Sequence, residues 1–479
     1  METLETDVLV IGAGAAGMAA ALTARNAGAR VVMLEKMAAH GGTSRFAEGM
    51  FAAESSLQIK KSVGLTRDQA FKTHMDNTHW YANGRLVRAF IDKSADTIEW
   101  LQQLGVSFTE PAALYPDGPR TWHLMDGGGH ALVDTLFERA KEAGVQTYLG
   151  TAVSDLQRED SSGNYIAVAT SKKGDELRIR AKAVIVAAGG FASNRKMMEE
   201  HTDVGAFANP VIDLDQQGEL FGLAWALGAA CSGAGPLMSI AAVPGEPPTS
   251  QLWAAGAQPY LWVNLQGERF CDESIMYRFP YSGNALAGQK DGVSFAIFDE
   301  DTKNLMIEEG ICYGLGEFVP PATKITNLPA DLDRGVQLGL AFVDDTVEGL
   351  AAKMGVDGAA LQATIDLSNE CFDKNHDRLF AKDSRYLRPV RKPNFYAIKS
   401  SFHVFTTLGG IKIDHKTQVV DEGFDVIPGL YAVGNAAGGL YGESYEVITT
   451  GGSLGFAVNS GRIAGENALE YVGFEAAIS

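Results

Sequence analysis

The chain of 479 residues carries 59 acidic against 40 basic residues, and its net charge of −19 opposes binding to nucleic acid or to an anionic membrane. The length predicts roughly two or three domains, and no apolar stretch reaches membrane-spanning length. The four cysteines lie far apart without a Cys-x-x-Cys pair, which argues against a metal cluster or a disulfide framework and favours a reducing, cytoplasmic location.

The amino-terminal segment has the pattern of a βαβ unit that binds a dinucleotide. An apolar strand at 7–11 runs into Gly12-Ala-Gly14-Ala-Ala-Gly17, which predicts a tight turn and a helix that ends at Gly28. A second strand, 30–34, leads to Glu35, an acid placed to accept ribose hydroxyls. The glycines permit the turn, a close approach to a pyrophosphate and tight helix packing, so the pattern predicts a bound adenine dinucleotide. The alternative is a glycine-rich turn in an ordinary α/β fold.

Further small residues and a group of strands follow. The run 41–44 and Gly49 are small where the chain must pass close to the rest of a cofactor. Apolar spacing predicts a helix at 130–143 and an antiparallel meander within 145–187. The last strand of the meander leads into Gly189-Gly190, which brings another backbone segment to the cofactor.

Two proline-rich stretches, 244–248 and 389–393, bracket a segment of different texture, with a hairpin signal at 263–270 and a helical pattern at 340–369. We take them as domain boundaries. The sequence therefore predicts an α/β fold in which a Rossmann-like FAD-binding domain is built from residues 1–243 and 394–479, around an inserted α+β capping domain at 244–393.

The carboxyl-terminal segment returns to the dinucleotide domain. The run 429–435 predicts a strand that ends in glycine, and 451–471 predicts a closing helix whose amino terminus can face a ligand. A domain built from both chain ends favours FAD over NAD, because the longer cofactor threads several separate segments. A single phosphate fingerprint is present, so we expect electrons to pass to or from an unidentified partner other than NAD(P)H.

Several motifs together resemble the fumarate reductase flavoprotein superfamily over nearly the whole chain. They are Gly12-x-Gly14-x-x-Gly17, Glu35-Lys36, Gly41-Gly-Thr-Ser44, Ala187-Ala-Gly-Gly-Phe191, Val263-Asn-x-x-Gly-x-Arg-Phe270-x-x-Glu273 and Gly429-Leu-Tyr-Ala-x-Gly434. That superfamily includes soluble fumarate reductases, urocanate reductase and 3-ketosteroid dehydrogenases. The resemblance implies FAD, and hydride exchange between flavin N5 and a carbon conjugated to a carbonyl or carboxyl group. The stretch 43–53 contains no histidine, so the FAD is expected to be non-covalent.

The same resemblance assigns the cofactor-binding residues. It implies that Gly12, Gly14, Ala15, Ala16 and Gly17 hold the pyrophosphate, that Glu35 holds the ribose, and that Val153 lies on the adenine side. It places Thr43, Ser44 and Gly49 at the isoalloxazine, Gly434 and Asn435 at the ribityl chain, and Ser453 and Leu454 at flavin N1 and C2=O. Lys36, Gly42, Ala188 and Gly189 are also assigned to the cofactor. Asn435 is a departure, because relatives often carry an acid there.

The reacting residues follow the steroid enzymes more closely than the fumarate reductases. Thr406 and Tyr445 stand where fumarate reductases have a histidine and an arginine, so a small dicarboxylate is not the expected substrate. The runs 269–277 and 442–445 resemble 3-ketosteroid dehydrogenases, which implies Tyr445 as carbonyl donor and Tyr277 as proton-transfer residue. Tyr115 falls near their third active-site tyrosine.

Alternatives remain for each of these side chains. Arg278 competes for the acid role, since fumarate reductases use an arginine at nearly this position, and it could equally anchor a carboxylate. Each tyrosine could instead be a pocket or core residue with a satisfied hydroxyl. His123 and His403 are expected to be hydrogen-bonded core or pocket histidines.

The sequence thus predicts an FAD-dependent oxidoreductase that acts on a C=C or CH–CH bond conjugated to a carbonyl, as an ene-reductase or a ketone desaturase. The expected partners are a small carbonyl-conjugated substrate and an unidentified electron donor or acceptor, without nucleic acid, membrane or metal. One alternative is a fumarate reductase-like enoate reductase that uses Arg278 as acid. Two others are a flavin monooxygenase and a flavoprotein that only carries or senses electrons.

Overall fold

The computed structural model describes residues 2–233, 235, 237–316 and 318–474. The strands in chain order are β1 (Glu2–Ile11), β2 (Val31–Glu35), β3 (Gly49–Phe51), β4 (Phe108–Ala112), β5 (Trp122–Met125), β6 (Gln146–Leu149), β7 (Thr151–Arg158), β8 (Tyr165–Ser171), β9 (Glu176–Val186), β10 (Asn209–Pro210), β11 (Leu237–Ala242), β12 (Leu261–Val263), β13 (Val293–Asp299), β14 (Ala341–Asp344), β15 (Phe395–Thr407), β16 (Ile411–Lys412), β17 (Gln418–Val420), β18 (Val426–Ala432) and β19 (Ala437–Gly438).

The helices in chain order are α1 (Ala15–Asn26), α2 (Ser56–Lys60), α3 (Arg67–Asn77), α4 (Gly84–Leu104), α5 (Gly128–Glu142), α6 (Arg195–His201), α7 (Glu219–Ala226), α8 (Gln251–Gly256), α9 (Pro280–Ala287), α10 (Glu300–Glu308), α11 (Leu328–Gln337), α12 (Val347–Met354), α13 (Gly358–Asp373) and α14 (Gly452–Val472). Short 3-10 turns lie at Gly42–Phe46, Glu273–Arg278, Lys290–Gly292, Ser384–Tyr386 and Gly434–Ala436.

The chain forms two compact units. The first comprises Met1–Asp203, Asp213–Leu237 and Thr406–Ser479, and the second comprises Val204–Ile212 and Met238–Phe405. The predicted borders were at 244 and 393, but the units meet at 237/238 and 405/406. The first of these lies at the start of β11 and the second lies near the end of β15, so both proline-rich stretches belong to the second unit. The segment 204–212 joins the second unit because β10 pairs with β15. That the units act as cofactor-binding and capping domains stays a prediction.

The main sheet of the first unit has a parallel centre, with strand order β17-β18-β9-β1-β2-β6. Strand β1 pairs in parallel with β2 and β9, and β18 adds to the other edge of β9. β7 and β8 continue from β9 as an antiparallel meander, as predicted. The last strand of the meander, β9, runs unbroken over Glu176–Val186, because it pairs with β1 from Thr3↔Arg178 to Ile11↔Val186.

Two helices rich in small residues cover one face of this sheet. Helices α1 and α14 pack against each other and share a core with buried residues of β1 such as Val8 and Val10. The backbones come close because a side chain at Gly461 of α14 would overlap the carbonyl oxygen of Ala16 in α1. The predicted closing helix is thus part of the same core of the first unit as the first helix.

The second unit has a mixed sheet with strand order β10-β15-β13-β12, and β11 and β14 also pair with β15. The helical pattern predicted from residue 340 is wrong at its start: 341–344 form β14, because they pair with β15 from Ala341↔Ile398 to Asp344↔Phe395. The rest of that segment is helical, as α12 and α13. Both helices pack on the sheet through a shared apolar core that includes Leu350 and Leu361.

Candidate active site

A cavity lies in the first unit, at the carboxyl ends of β1, β2 and β9. The carboxyl edge of a parallel sheet is where small-molecule and cofactor ligands bind. Most of the predicted cofactor residues line it: Gly12, Gly14, Ala15, Ala16, Glu35, Lys36, Gly42, Thr43, Ser44, Val153, Ala188, Gly189, Gly434 and Asn435.

The turn between β1 and α1 requires glycine at its first position. Gly12 has a φ of 115°, and a Cβ on it would overlap the carbonyl oxygen of Ala187. The bare backbone leads directly to the first turn of α1, where the Ala15 amide donates to Ser44 Oγ at 3.3 Å. A helix amino terminus offers unpaired amides and a positive dipole end to an anion, so this corner fits the pyrophosphate of FAD.

Glu35 is held at the end of β2 by the backbone. Its carboxylate accepts from the Ala13 amide at 2.9 Å and from the Met37 amide at 2.8 Å. These bonds fix the carboxylate at the wall of the cavity, next to the glycine turn. An acceptor in this place suits a ribose hydroxyl pair.

A cavity wall that sequence reasoning missed comes from residues 214–220. Leu214, Asp215, Gln216, Glu219 and Leu220 line the cavity. Lys36 Nζ lies 3.2 Å from an Asp215 carboxylate oxygen and 2.8 Å from Glu219. The available signal was the polar loop that ends in Gly218 immediately before the apolar helix α7.

Asn435 lies in a hydrogen-bonded chain at the far end of the cavity. Its Nδ2 donates to Thr406 Oγ1 at 3.2 Å, and its Oδ1 accepts from Ser453 Oγ at 3.4 Å. Thr406 Oγ1 in turn donates to Gln216 Oε1 at 2.9 Å. The amide therefore joins β15 to the start of α14, and an aspartate there could accept but not donate.

The other predicted cofactor residues lie outside this lining: Gly17, Gly49, Ser453 and Leu454. Gly17 packs on the Gly12 carbonyl, and Gly49 packs on His123. Ser453 and Leu454 form the first turn of α14. Their contacts with a bound flavin stay predictions.

Tyr445 lies directly before α14 and is 5% exposed. Its hydroxyl accepts from the Ser453 amide at 3.4 Å. Burial raises the pKa of Tyr445, and the Ser453 and Gly452 amides oppose this shift only partly. The phenol therefore stays protonated at neutral pH, and a protonated phenol on a helix amino terminus is a hydrogen-bond donor rather than a base.

Tyr277 and Arg278 lie in the second unit, at the end of a 3-10 turn. The Tyr277 hydroxyl donates to the Cys312 carbonyl at 3.0 Å, and its ring contacts Tyr313 and Tyr386. Burial raises the pKa of Tyr277, which makes a phenolate base unfavourable. Arg278 is exposed, and its guanidinium lies 5.8 Å from the centre of the Tyr281 ring.

The turn that carries Tyr277 is anchored by buried charges. Arg269 binds Glu273 through Nε at 2.9 Å and Nη2 at 2.8 Å, and binds Asp377 at 2.9 and 3.1 Å. Lys382 Nζ lies 2.8 Å from the second oxygen of Glu273. Burial alone would raise the pKa of Glu273, but Lys382 and Arg269 outweigh it and hold the pKa below its usual range. The Arg-Phe-x-x-Glu motif therefore secures the 3-10 turn.

Tyr115, in the first unit, lies half-buried in the loop between β4 and β5, where its ring packs over Gly118. His123 is fully buried and bonds Ser55 Oγ at 2.7 Å and the Thr121 carbonyl at 2.9 Å, and burial lowers its pKa to about 4. His403 in β15 is also buried, with a bond of 3.0 Å to the Ser401 carbonyl, and burial lowers its pKa. Both are hydrogen-bonded core histidines.

Neither a metal centre nor a membrane-crossing segment is present in the described part of the chain. No group of three or more His, Cys, Asp or Glu side chains among those residues is placed to hold a metal ion. Within the same residues, every helix falls short of the length and apolar character that crossing a bilayer requires.

Comparison with known proteins gives the family. The FAD binding domain family matches residues 7–451. The vinyl phenol reductase of Lactiplantibacillus plantarum (strain ATCC BAA-793 / NCIMB 8826 / WCFS1) is 35% identical, over 99% of this chain and 98% of that protein. The fumarate reductase (cytochrome) of Shewanella frigidimarina is 27% identical, over 97% of this chain and 77% of the relative.

A solved structure agrees with these matches. The 3-ketosteroid-delta4-(5alpha)-dehydrogenase from Rhodococcus jostii RHA1 superposes with a TM-score of 0.73 and 26% identity, over 97% of both chains. The predicted superfamily, the α/β fold and the oxidoreductase class are confirmed. The chain belongs to the FAD-binding family of fumarate reductase-like flavoproteins, and it is an FAD-dependent oxidoreductase that acts on conjugated carbon–carbon bonds.

Proposed function

We propose that this protein reduces a carbon–carbon double bond conjugated to an oxygen-bearing group of a small molecule, and that aryl alkenes of the vinyl phenol type are the first substrates to test. Tyr445 carries the proposal, because its buried phenol lies on the amino terminus of α14 with the Ser453 amide at 3.4 Å. The 35% identity to a vinyl phenol reductase over 98% of that protein supports the substrate class. A vinyl phenol becomes enone-like when its phenol loses a proton and its terminal alkene carbon gains one. The resulting quinone methide has a ring carbonyl conjugated with the exocyclic carbon that accepts the hydride, and the product is the ethyl phenol.

Tyr445 would act on the charge that develops during hydride addition. Reduced FAD supplies the hydride when it is bound. As the double bond is reduced, electron density flows towards the conjugated oxygen, and a fixed phenol donor lowers the energy of that charge. The positive end of the α14 dipole strengthens the effect. A proton must also reach the neighbouring carbon, and its transfer by Tyr277 or Arg278 stays a prediction from the sequence.

A dicarboxylate is a poorer fit to the same residues. Two carboxylates require charge-assisted donors, which arginine and histidine provide. Here Thr406 is committed to Gln216 by a hydrogen bond of 2.9 Å, and the neutral Tyr445 occupies the other position. The enoate reductase alternative with Arg278 as acid therefore predicts a monocarboxylate rather than fumarate. The named relatives are reductases and a dehydrogenase, so they give the monooxygenase alternative no support.

The remaining features of the proposal concern the cofactor and its surroundings. FAD is bound non-covalently, because residues 43–53 contain no histidine; acid precipitation should leave the flavin in the supernatant. A cytoplasmic location accords with the four cysteines, all free. The electron donor is a partner other than NAD(P)H, and NADH added without a mediator should bleach the flavin no faster than it bleaches free FAD.

The test is anaerobic reoxidation of the photoreduced holoprotein. The compounds are 4-vinylphenol, an aryl enoate, a small cyclic enone, a 3-ketosteroid enone and fumarate, each followed by the return of flavin absorbance. We expect rapid reoxidation by 4-vinylphenol or another aryl-conjugated alkene, and slow reoxidation by fumarate. Fumarate as the fastest oxidant would refute the proposal.

The role of Tyr445 is tested in the same assay. Tyr445→Phe should slow reoxidation by about a hundredfold or more, the usual cost of removing a donor aimed at developing charge. Tyr165→Phe is the matched control, because Tyr165 is also buried in the first unit and its hydroxyl donates to the Pro428 carbonyl at 2.7 Å. A wild-type rate in Tyr445→Phe would exclude Tyr445 from the reaction.

A further inference from the structure

Tyr441 carries a hydroxyl that the fold leaves without a partner. The residue is 6% exposed, its hydroxyl oxygen is shielded from solvent, and none of the described residues forms a hydrogen bond with that oxygen. A buried hydroxyl without a hydrogen bond is costly, and each such group in a folded protein calls for an explanation. Two further buried tyrosines of this unit, Tyr165 and Tyr431, each donate to a backbone carbonyl.

The Tyr441 and Tyr445 hydroxyls both lie close to Gly452. A Cβ placed on Gly452 would lie 3.1 Å from the Tyr441 hydroxyl oxygen and 3.9 Å from that of Tyr445. The two rings are 5.2 Å apart and tilted by 53°. Gly452 begins α14, so the two phenol hydroxyls lie close to the positive end of a helix.

The segment that carries Tyr441 is held firmly by buried polar contacts. His74 Nε2 bonds the Leu440 carbonyl at 2.8 Å, and the His74 ring lies 5.9 Å from that of Tyr441. Glu446, 3.5 Å from His74 Nδ1, accepts from the Ile448 amide at 2.6 Å. These contacts fix the backbone on both sides of Tyr441 without using its hydroxyl. The ring of Tyr441 is therefore held in place by its neighbours, and its hydroxyl stays available to a ligand.

The chemistry of the pair indicates what it binds. Burial raises the pKa of both Tyr441 and Tyr445, and Glu446 adds to the shift, so both phenols stay protonated and neutral. Two neutral donors suit a carbonyl or phenol oxygen, on which negative charge grows during the reaction. They supply no positive charge of their own to balance a substrate carboxylate.

We infer that Tyr441 is a second hydroxyl donor to the substrate, and that Tyr441 and Tyr445 both donate hydrogen bonds to an aryl or ketone oxygen beside Gly452. This inference rests on the proposed function, because it takes Tyr445 as the first donor. It assigns selectivity for an oxygen-bearing ring to Tyr441, a residue that the sequence motifs did not single out.

The test measures ligand binding and stability separately. The oxidised holoenzyme is titrated with 4-ethylphenol, and with ethylbenzene, which lacks the oxygen, and each titration is followed by flavin absorbance. Tyr441→Phe should bind 4-ethylphenol about fivefold more weakly, the size expected for one lost hydrogen bond, and should bind ethylbenzene as the wild type does. Its thermal midpoint should be equal to or above that of the wild type, because an unpartnered hydroxyl is removed.

Tyr165→Phe provides the opposite pattern as a control. It loses the bond to the Pro428 carbonyl, so its thermal midpoint should fall while its affinity for 4-ethylphenol stays unchanged. Equal affinity of Tyr441→Phe and wild type for 4-ethylphenol would overturn the inference and leave the proposed function standing. If the wild type bound neither probe, the proposed substrate class would fail, and the inference with it.

Discussion

Replacement of Glu273 by glutamine tests whether the buried charge cluster holds the turn that carries Tyr277. Glu273 is fully buried, and it is within 3 Å of both Arg269 and Lys382. Glu273→Gln leaves Arg269 with Asp377 at 2.9 Å but removes the carboxylate that faces Lys382, whose side chain is 1% exposed. One buried positive charge is then uncompensated, a change that costs about 3–5 kcal/mol.

The assay is urea unfolding of the holoprotein, with tyrosine and tryptophan fluorescence as the signal. With a slope of about 2–3 kcal/mol/M, the expected loss lowers the midpoint by about 1–2.5 M urea. The matched control is Glu370→Gln, since the pair of Glu370 with Lys374 lies on an exposed helix face and should contribute little. The double variant Glu273→Gln/Lys382→Met should recover most of the loss, because it removes the unpaired charge.

The reasoning would be refuted if Glu273→Gln shifted the midpoint no more than Glu370→Gln does. It would also be refuted if Glu273→Gln/Lys382→Met were less stable than Glu273→Gln alone. Either outcome would mean that water or a rearranged side chain compensates the charge. The motif would then have to be explained by something other than anchoring of the 3-10 turn.

Three further predictions follow from the cofactor-binding unit. Gly12→Ala should abolish FAD retention, measured as the flavin-to-protein absorbance ratio, because its Cβ overlaps the Ala187 carbonyl; Gly174→Ala, also at positive φ but with open space around it, should retain the flavin. His123 stays neutral when folded, so stability is complete above pH 6.5 and falls as the pH drops towards 4, by up to about 3 kcal/mol; this slope should be absent from the urea-unfolding free energies of His123→Asn. Asn435→Asp should lower the flavin midpoint potential, measured by equilibration with a reference dye, because added negative charge opposes electron uptake. An unchanged potential would mean that residue 435 does not lie close to the flavin.

The features that sequence predicted best depend on local patterns. The turn at Gly12 and the acid at Glu35 are fixed by spacing within one βαβ unit, and both line the cavity. The closing helix predicted at 451–471 is α14 at 452–472. In each case the residues that decide the structure are neighbours in the chain, so their order carries the information.

The features that sequence missed depend on distant partners. The strand β14 was predicted as helix because its apolar residues fit either period, and only its pairing with β15 decides between them. Residues 214–220 reach the cavity because the chain folds back onto Lys36, and no spacing rule indicates that. Tyr441 was overlooked because a hydroxyl's partner, or the lack of one, is a property of the packed molecule and not of the motif.

The assembly of the sheet from both ends of the chain has a consequence for synthesis. Strand β18 pairs with β9 from Leu430↔Val184 to Ala432↔Val186, and Gly434, Asn435 and Ala457 complete the cavity wall. At usual elongation rates the ribosome needs roughly 10–50 s to travel from residue 186 to residue 432. Throughout that interval β8 covers only 176–181 on that edge of β9, so 184–186 have no strand beside them, and an open edge can pair with other chains. The cavity can therefore bind FAD only late in synthesis, after β18 has been made. For a nascent chain that stalls earlier, the main risk is aggregation.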